Sequence, residues 1–145
     1  MKIKKTALLL LSLLFFNCIY AQVKPVKKTA PHTGTTSIAR GKIVYTSICL
    51  ACHMADGGGV PTLNPPLTGT EYVLGHKTRL IKIVLNGFKE DVEINGQKFS
   101  NNMTPHSDLK DQQIADVLTY VRKSFGNKAT SVTAAEVKKV RALNK

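Results

Sequence analysis

Apolar side chains recur with helical spacing in three stretches of this chain. The clearest is residues 111–125, where apolar positions follow one another at i, i+3, i+4, i+7 and i+11. Residues 37–49 and 77–88 repeat the same period over a shorter length. Because one stripe of a helix recurs about every 3.6 residues, each stretch predicts an amphipathic helix with its apolar face on a shared core.

Residues that favour helix ends stand at the borders of these stretches. Ser37 is expected to cap the first helix, Gly87 to end the second, and Gly126-Asn127 to end the third. Thr133 and Glu136 have the spacing of a capping box, which predicts a further short helix after them.

The segments between the helices carry turn residues and no apolar period. Glycines at 57–59 and prolines at 65–66 break regular structure, and a loop of this length is expected to wrap something. Asn95-Gly96 is a strong turn signal, so residues 92–94 and 97–99 are predicted to pair as a very short hairpin. The predicted fold class is therefore all-α, a small domain with no sheet of consequence.

The N-terminal part of the chain differs in kind from the rest. Residues 1–5 are basic, residues 7–16 are almost unbroken apolar side chains, and Ala21 offers a cleavage position. Residues 1–21 are therefore predicted to be a secretory signal peptide, since the apolar run is shorter than the roughly 20 residues of a spanning helix. Residues 22–36 are predicted to be a disordered linker.

Export would leave a folded domain at residues 37–127, followed by a basic extension with a short helix at residues 128–145. The expected location is the bacterial periplasm. Cys18 leaves a lipoprotein anchor open as a minor alternative, although Asn17 is a poor match for the small residue that usually precedes a lipidated cysteine.

Positive charge is unevenly distributed along the chain. The net charge is +12, yet residues 37–126 hold 10 basic and 8 acidic side chains. Beyond the signal peptide, the excess lies at the two ends, in Lys24, Lys27, Lys28, Lys128, Lys138, Lys139, Arg141 and Lys145. Such ends are usually just solvated, and docking to an acidic partner or an anionic surface is the alternative. Nucleic acid is excluded as a partner, because no aromatic side chains are interleaved with the basic ones.

The most informative segment is Cys49-Leu50-Ala51-Cys52-His53, the C-x-x-C-H pattern of covalent haem attachment. Two cysteines three residues apart on a helical turn can reach the two vinyl groups of one porphyrin and form thioethers. His53 follows directly, where its imidazole can coordinate the iron. The sequence therefore predicts one covalently bound haem c.

Three other uses of these cysteines are open, and each explains less of the pattern. A structural zinc site needs four ligands, and the only further cysteine is Cys18. A thioredoxin-like redox pair needs a βαβ context that this sequence lacks. A plain disulfide leaves His53 without a role.

The second axial ligand of such a haem decides what the iron can do. Of the three methionines, the first would leave with the signal peptide, and Met54 adjoins His53 on the proximal side. Met103 is therefore the predicted ligand, with ordinary core packing as its alternative role. His106, His76 or an open site are the alternatives for the iron. A thioether ligand would raise the potential and exclude O2, which favours electron transfer.

Four motifs in order make the chain resemble the class I monohaem cytochromes c, in particular the exported bacterial kind. They are Gly41-Lys42-Ile43-Val44-Tyr45, Pro65-Pro66-Leu67-Thr68-Gly69, Asn95-Gly96 followed by Met103, and residues 114–122. Residues 132–137 resemble a tail found in dehydrogenase-associated members. Related domains also occur in copper nitrite reductases and oxidase subunits. The departure is Thr104, where the family more often has proline.

The resemblance implies roles for residues close to the haem. The Pro65 carbonyl would accept a hydrogen bond from His53 Nδ1, and Leu67 would lie against the porphyrin. It also implies that Gly41 and Tyr45 pack against Val117 and Tyr120 of the last long helix. Such a contact would explain a glycine inside a helix, where it costs about 1 kcal/mol relative to alanine.

The leading functional hypothesis is a one-electron carrier, not an enzyme, with a dehydrogenase, reductase or terminal oxidase as its redox partner. In one version of it the chain is a subunit docked through its basic ends. Peripheral association with a membrane is compatible with the same ends. The alternative from another class is a haem-based sensor or peroxidase-like protein with an open distal site.

Overall fold

Helices make up about half of residues 36–144, which are the residues that the computed structural model describes. The predicted signal peptide, residues 22–35 of the predicted linker and Cys18 lie outside them. The elements are α1 (Ser37–Val44), a π-helical segment (Tyr45–Cys49), α2 (Leu50–His53), α3 (Glu71–Leu74), α4 (Lys77–Asn86), β1 (Val92–Ile94), β2 (Gln97–Phe99), α5 (Asp111–Lys123) and α6 (Ala134–Ala142). The only strand pairing of named strands in this region is the antiparallel β1–β2 hairpin. The all-α prediction is confirmed, and no helix in this region is long and apolar enough to cross a bilayer.

The first and last long helices cross in close contact at Gly41. A Cβ atom at this position would lie 2.0 Å from the Asp116 carbonyl oxygen and 2.8 Å from Tyr120 Cβ. One turn further on, the rings of Tyr45 and Tyr120 lie 5.3 Å apart between centroids. The glycine therefore lets the backbones of α1 and α5 approach more closely than any side chain would allow.

The start of α1 differs from the prediction. Thr36, not Ser37, caps the helix, with its hydroxyl accepting a hydrogen bond of 3.2 Å from Ala39 N. The Ser37 hydroxyl instead donates to the carboxylate of Asp116 on α5. The prediction was wrong because the cap position was inferred from local sequence alone, whereas Ser37 is recruited by a partner 79 residues away.

Asp116 forms a buried polar contact between α1 and α5, with 2% of its surface exposed. Arg40 donates to it from Nε at 2.7 Å and from Nη2 at 2.8 Å, and Gln112 donates at 3.0 Å. Burial works to raise the pKa of the carboxyl, but the hydrogen bonds from Arg40, Ser37 and Gln112 outweigh it and hold the pKa below its ordinary value. The carboxylate therefore stays ionised well into the acid range.

The ends of the other long helices follow the prediction in one case and depart from it in the other. Gly87, with a φ of 73°, caps α4 as expected. Helix α5 ends at Lys123, two residues before the predicted end. The chain turns there because Phe125, with a φ of 56°, packs its ring against Tyr45 at 5.3 Å and Tyr120 at 5.5 Å.

The predicted hairpin and the last helix are both present. Strands β1 and β2 have the predicted bounds, and Val92 pairs with Phe99. Thr133 and Glu136 form the predicted capping box, each side chain accepting from the backbone N–H of the other. Helix α6 is part of the core, because Val137 has no exposed surface. The short helix α3 was not predicted.

Candidate haem-binding cleft

An apolar cleft opens between α2, the loop after it, helices α4 and α5, and the hairpin. It offers about 230 Å³ to the centre of a water-sized sphere, far more than the roughly 10–15 Å³ that one buried water needs. All six residues predicted from the sequence line it: Cys49, Cys52, His53, Pro65, Leu67 and Met103. Much of the remaining wall consists of buried aliphatic side chains such as Leu80, Leu118 and Val121. The cleft therefore offers a large apolar space with a few converging sulfur and nitrogen groups.

The two cysteines stand where a π-helical turn gives way to α2. Cys49 is the last residue of the π-helical segment, while Cys52 lies in the middle of α2. Single π-helical turns occur frequently at functional sites, since they shift the faces that successive side chains occupy. Both side chains are unpaired thiols. Burial, and to a lesser extent the neighbouring Cys52, raises the pKa of the Cys49 thiol to about 11, whereas reactive cysteines have a lowered pKa.

His53 ends α2 and turns its ring into the cleft wall. Its Nδ1 lies 3.1 Å from the Pro65 carbonyl oxygen, the hydrogen bond that the resemblance implied. Burial lowers the pKa of the imidazole, and the bond to Pro65 offsets this only in part, so the ring is neutral at pH 7. A neutral imidazole with Nδ1 bound to a carbonyl presents Nε2 as its metal-binding nitrogen.

Backbone contacts around Gly59 hold His53 and Pro65 together. Gly59 N donates to the His53 carbonyl at 3.2 Å. Its φ is 71°, and a Cβ atom there would lie 2.3 Å from Asn64 O and 2.7 Å from Pro65 O. The Tyr45 hydroxyl donates to the carbonyl of Met54, the residue after His53, at 2.7 Å. The backbone is thus held at His53 and at the residue that follows it.

Asn127 holds the Leu67 segment, a role that the sequence analysis missed. Its side chain donates to Leu67 O at 3.0 Å and to Val121 O at 2.8 Å, and accepts from Gly69 N at 2.9 Å. Asn127 is 5% exposed, so these bonds satisfy a buried amide. The only sequence signal was its place after Gly126, which indicated a helix cap and not a clamp across 60 residues.

Met103 is held by the segment that follows α4. Met103 N donates to Phe88 O at 2.8 Å, and Phe88 N donates to Met103 O at 3.0 Å. Gly87 makes this pairing possible, because a Cβ atom there would lie 2.3 Å from Met103 O. Three residues on, His106 N donates to Val84 O at 2.8 Å. Met103 therefore lies on a segment that is hydrogen-bonded to α4 and to the residues after it. The segment is held in this way with Thr104 at the position where the family more often has proline.

The other candidate ligands occupy different positions. His106 also lines the cleft, whereas His76 is the residue before α4 and is not part of the cleft wall. Met54 is 44% exposed, directly follows His53 and is not part of the cleft wall. Between residues 36 and 144 no group of three or more His, Cys, Asp or Glu side chains is arranged to hold a metal ion.

A cleft that joins two thiols and a neutral imidazole in one C-x-x-C-H turn, with apolar walls, fits a covalently attached haem and defines a c-type haem protein. The sequence model of cytochrome c matches residues 38–125. The chain belongs to the cytochrome c family and binds haem c.

Relatives of two kinds are similar to this chain in sequence. The chain is 35% identical to cytochrome c-552 of Thermus thermophilus over 72% of its own length and 86% of the relative's. It is 36% identical to the cytochrome c subunit of a quinone alcohol dehydrogenase from Gluconacetobacter polyoxogenes, over 75% of its own length. A gluconate 2-dehydrogenase cytochrome c subunit of Pantoea cypripedii is also 36% identical, over 70% of this chain. The chain spans about a quarter of the length of the two dehydrogenase subunits.

Proposed function

We propose that this protein is an exported one-electron carrier whose single haem c is attached through Cys49 and Cys52 and ligated by His53 and Met103. The observation that carries the proposal is that these four side chains line one cleft, with backbone contacts fixing both the His53 and the Met103 segments. When bound, haem c supplies a reversible one-electron couple at its iron.

The contribution of the chain is to set the ligands and exclude water. Pro65 orients the His53 imidazole and keeps its Nδ1 protonated, which makes the other nitrogen a better donor. A Met103 thioether favours the reduced state and so raises the potential relative to a second imidazole. The apolar wall lowers the local polarity, which is a further determinant of the potential.

The alternative function is a haem-based sensor or a peroxidase-like protein with an open distal site. The observation in its favour is that His106, a second histidine, also lines the cleft. The pairing of Met103 with Phe88 argues against it, because it holds a thioether-bearing residue on the cleft wall.

A redox titration of the purified holoprotein, followed by optical spectra, tests the proposal. We expect a single one-electron transition, a low-spin ferric spectrum and the weak red methionine-to-iron charge-transfer band. Immediate stoichiometric binding of CO to the reduced protein would instead support the open-site alternative.

Export is part of the proposal, and the support is the sequence pattern of residues 1–21. Intact mass spectrometry of the holoprotein from a host that attaches haem c reports two things together. One covalent haem on a chain beginning at Gln22 is the expected mass. A chain still carrying residues 1–21 would contradict cleavage, and a diacylglyceryl group on Cys18 would support the lipoprotein alternative.

The partner that we propose is a dehydrogenase that delivers electrons to this cytochrome. The support is that several relatives are cytochrome c subunits of quinone alcohol and gluconate dehydrogenases or the cytochrome subunit of a fructose dehydrogenase. Lys128, Lys138 and Lys139 are exposed and offer a positive surface for docking. Co-purification of a dehydrogenase that is lost in high salt is expected, because exposed charges are screened within about 10 Å at 0.1 M. Co-purification unaffected by salt would contradict docking through these lysines.

A further inference from the structure

Helix α6 reaches back to the segment that carries Met103. We define the Met103 loop as residues 100–110. Its middle is held by Phe88, just after α4, and by Val84 of α4. The final part, after His106, has a different support. It contains Leu109, which is 7% exposed and lines the cleft together with Met103. Contacts that hold this final part of the loop therefore also hold Leu109 in the cleft wall.

Arg141 of α6 supplies this support with all three nitrogens of its guanidinium. Nη1 donates to Ser107 O at 2.7 Å, and Nη2 donates to Leu109 O at 2.6 Å. Nε donates to the Asp111 carboxylate at 2.7 Å. A planar guanidinium presents its donors in a fixed fork, so one side chain sets the position of two carbonyls and the start of α5 together.

A second ion pair on α6 does not involve the Met103 loop. Lys77 Nζ lies 2.9 Å from Glu136 Oε1, and it joins the first turn of α6 to the first residue of α4. Side-chain exposures of the two pairs are similar, at 26% and 40% for Lys77 and Glu136, and 33% and 29% for Arg141 and Asp111. Both pairs attach α6 to the domain, but only Arg141 contacts the Met103 loop.

We propose that α6 braces the Met103 loop and that Arg141 is a positioning residue for the methionine ligand. The inference rests on the proposed ligation of the iron by Met103. The match to the cytochrome c family ends at residue 125, so this brace is an addition to the part of the chain that the family model covers. An opening of the whole Met103 loop would break or stretch the hydrogen bonds from Arg141 to Ser107 and Leu109.

The test is the rate at which imidazole replaces the native ligand in the ferric holoprotein, measured by stopped-flow loss of the red charge-transfer band. Arg141→Gln is expected to raise this rate about tenfold, because it removes the two charge-assisted hydrogen bonds to the loop carbonyls together with the ion pair to Asp111. Lys77→Gln is the matched control. It removes the other ion pair of α6 and is expected to leave the rate within about twofold of wild type.

Thermal unfolding separates bracing from general stability. In Arg141→Gln we expect the red band to disappear at a lower temperature than the far-ultraviolet circular dichroism signal, while in Lys77→Gln the two transitions stay together. An imidazole rate equal to wild type in Arg141→Gln would overturn the brace, and so would equal acceleration in both variants. Absence of the red band from wild type would overturn the Met103 assignment itself, and with it the brace.

Discussion

Replacement of Met103 by alanine in the holoprotein is expected to abolish the red charge-transfer band and to lower the midpoint potential by on the order of 0.1–0.2 V, a fraction of the roughly 0.8 V over which axial ligands move haem potentials. The reason is that a thioether stabilises the reduced iron, and water or a nitrogen ligand in its place does not. Optical redox titration of the variant beside wild type measures both effects.

Two controls make the result specific to this methionine. Met54→Ala removes the other described thioether, which is 44% exposed and follows His53 on the proximal side, and we expect the band to remain. His106→Ala removes the other candidate ligand that lines the cleft, and the band is again expected to remain. Loss of the band in His106→Ala with retention in Met103→Ala would reverse the ligand assignment.

The chemistry of the site was predictable because several of its groups are neighbours in the sequence. The C-x-x-C-H pentapeptide needs only one helical turn to bring two thiols and an imidazole together, so five adjacent residues predict the attachment point. The contact between His53 and Pro65 spans 12 residues and came from the resemblance, not from spacing. Helical periods likewise predicted α4 and α5, because apolar side chains recur along one stripe of each helix. The period did not predict that Asp116, Thr119 and Arg122 of α5 are buried as well.

What sequence reasoning missed depends on contacts between distant residues. Ser37 has the residue type and the position of a helix cap, yet its hydroxyl donates to Asp116 on another helix. Asn127 has the residue type and the position of a helix end, yet its side chain holds the Leu67 segment. Arg141 was counted among solvated basic residues, yet it binds Asp111 and two loop carbonyls. A polar side chain has no periodic signal that identifies its partner, so these roles appear only in three dimensions.

Gly41→Ala is expected to cause a large loss of stability, although it adds only one methyl group. By helix propensity alone, alanine would stabilise α1 by about 1 kcal/mol. The added Cβ would, however, lie 2.0 Å from the Asp116 carbonyl oxygen, which is backbone and cannot rotate away. Helices α1 and α5 would have to separate, which stretches the Arg40–Asp116 ion pair and the contact between Tyr45 and Tyr120.

We therefore expect the free energy of unfolding to fall by about 3 kcal/mol or more, out of the roughly 5–15 kcal/mol typical of a domain. Denaturant titration of the holoprotein, followed by far-ultraviolet circular dichroism, measures it. Lys42→Ala, at the next and exposed position, is the control, with an expected change within about 0.5 kcal/mol. Gly41→Ala/Tyr120→Ala should not restore stability, since the closest atom belongs to the Asp116 backbone and alanine keeps the Tyr120 Cβ. A Gly41→Ala protein as stable as wild type would mean that α1 and α5 do not cross in backbone contact, and the packing reason for this glycine would fail with it.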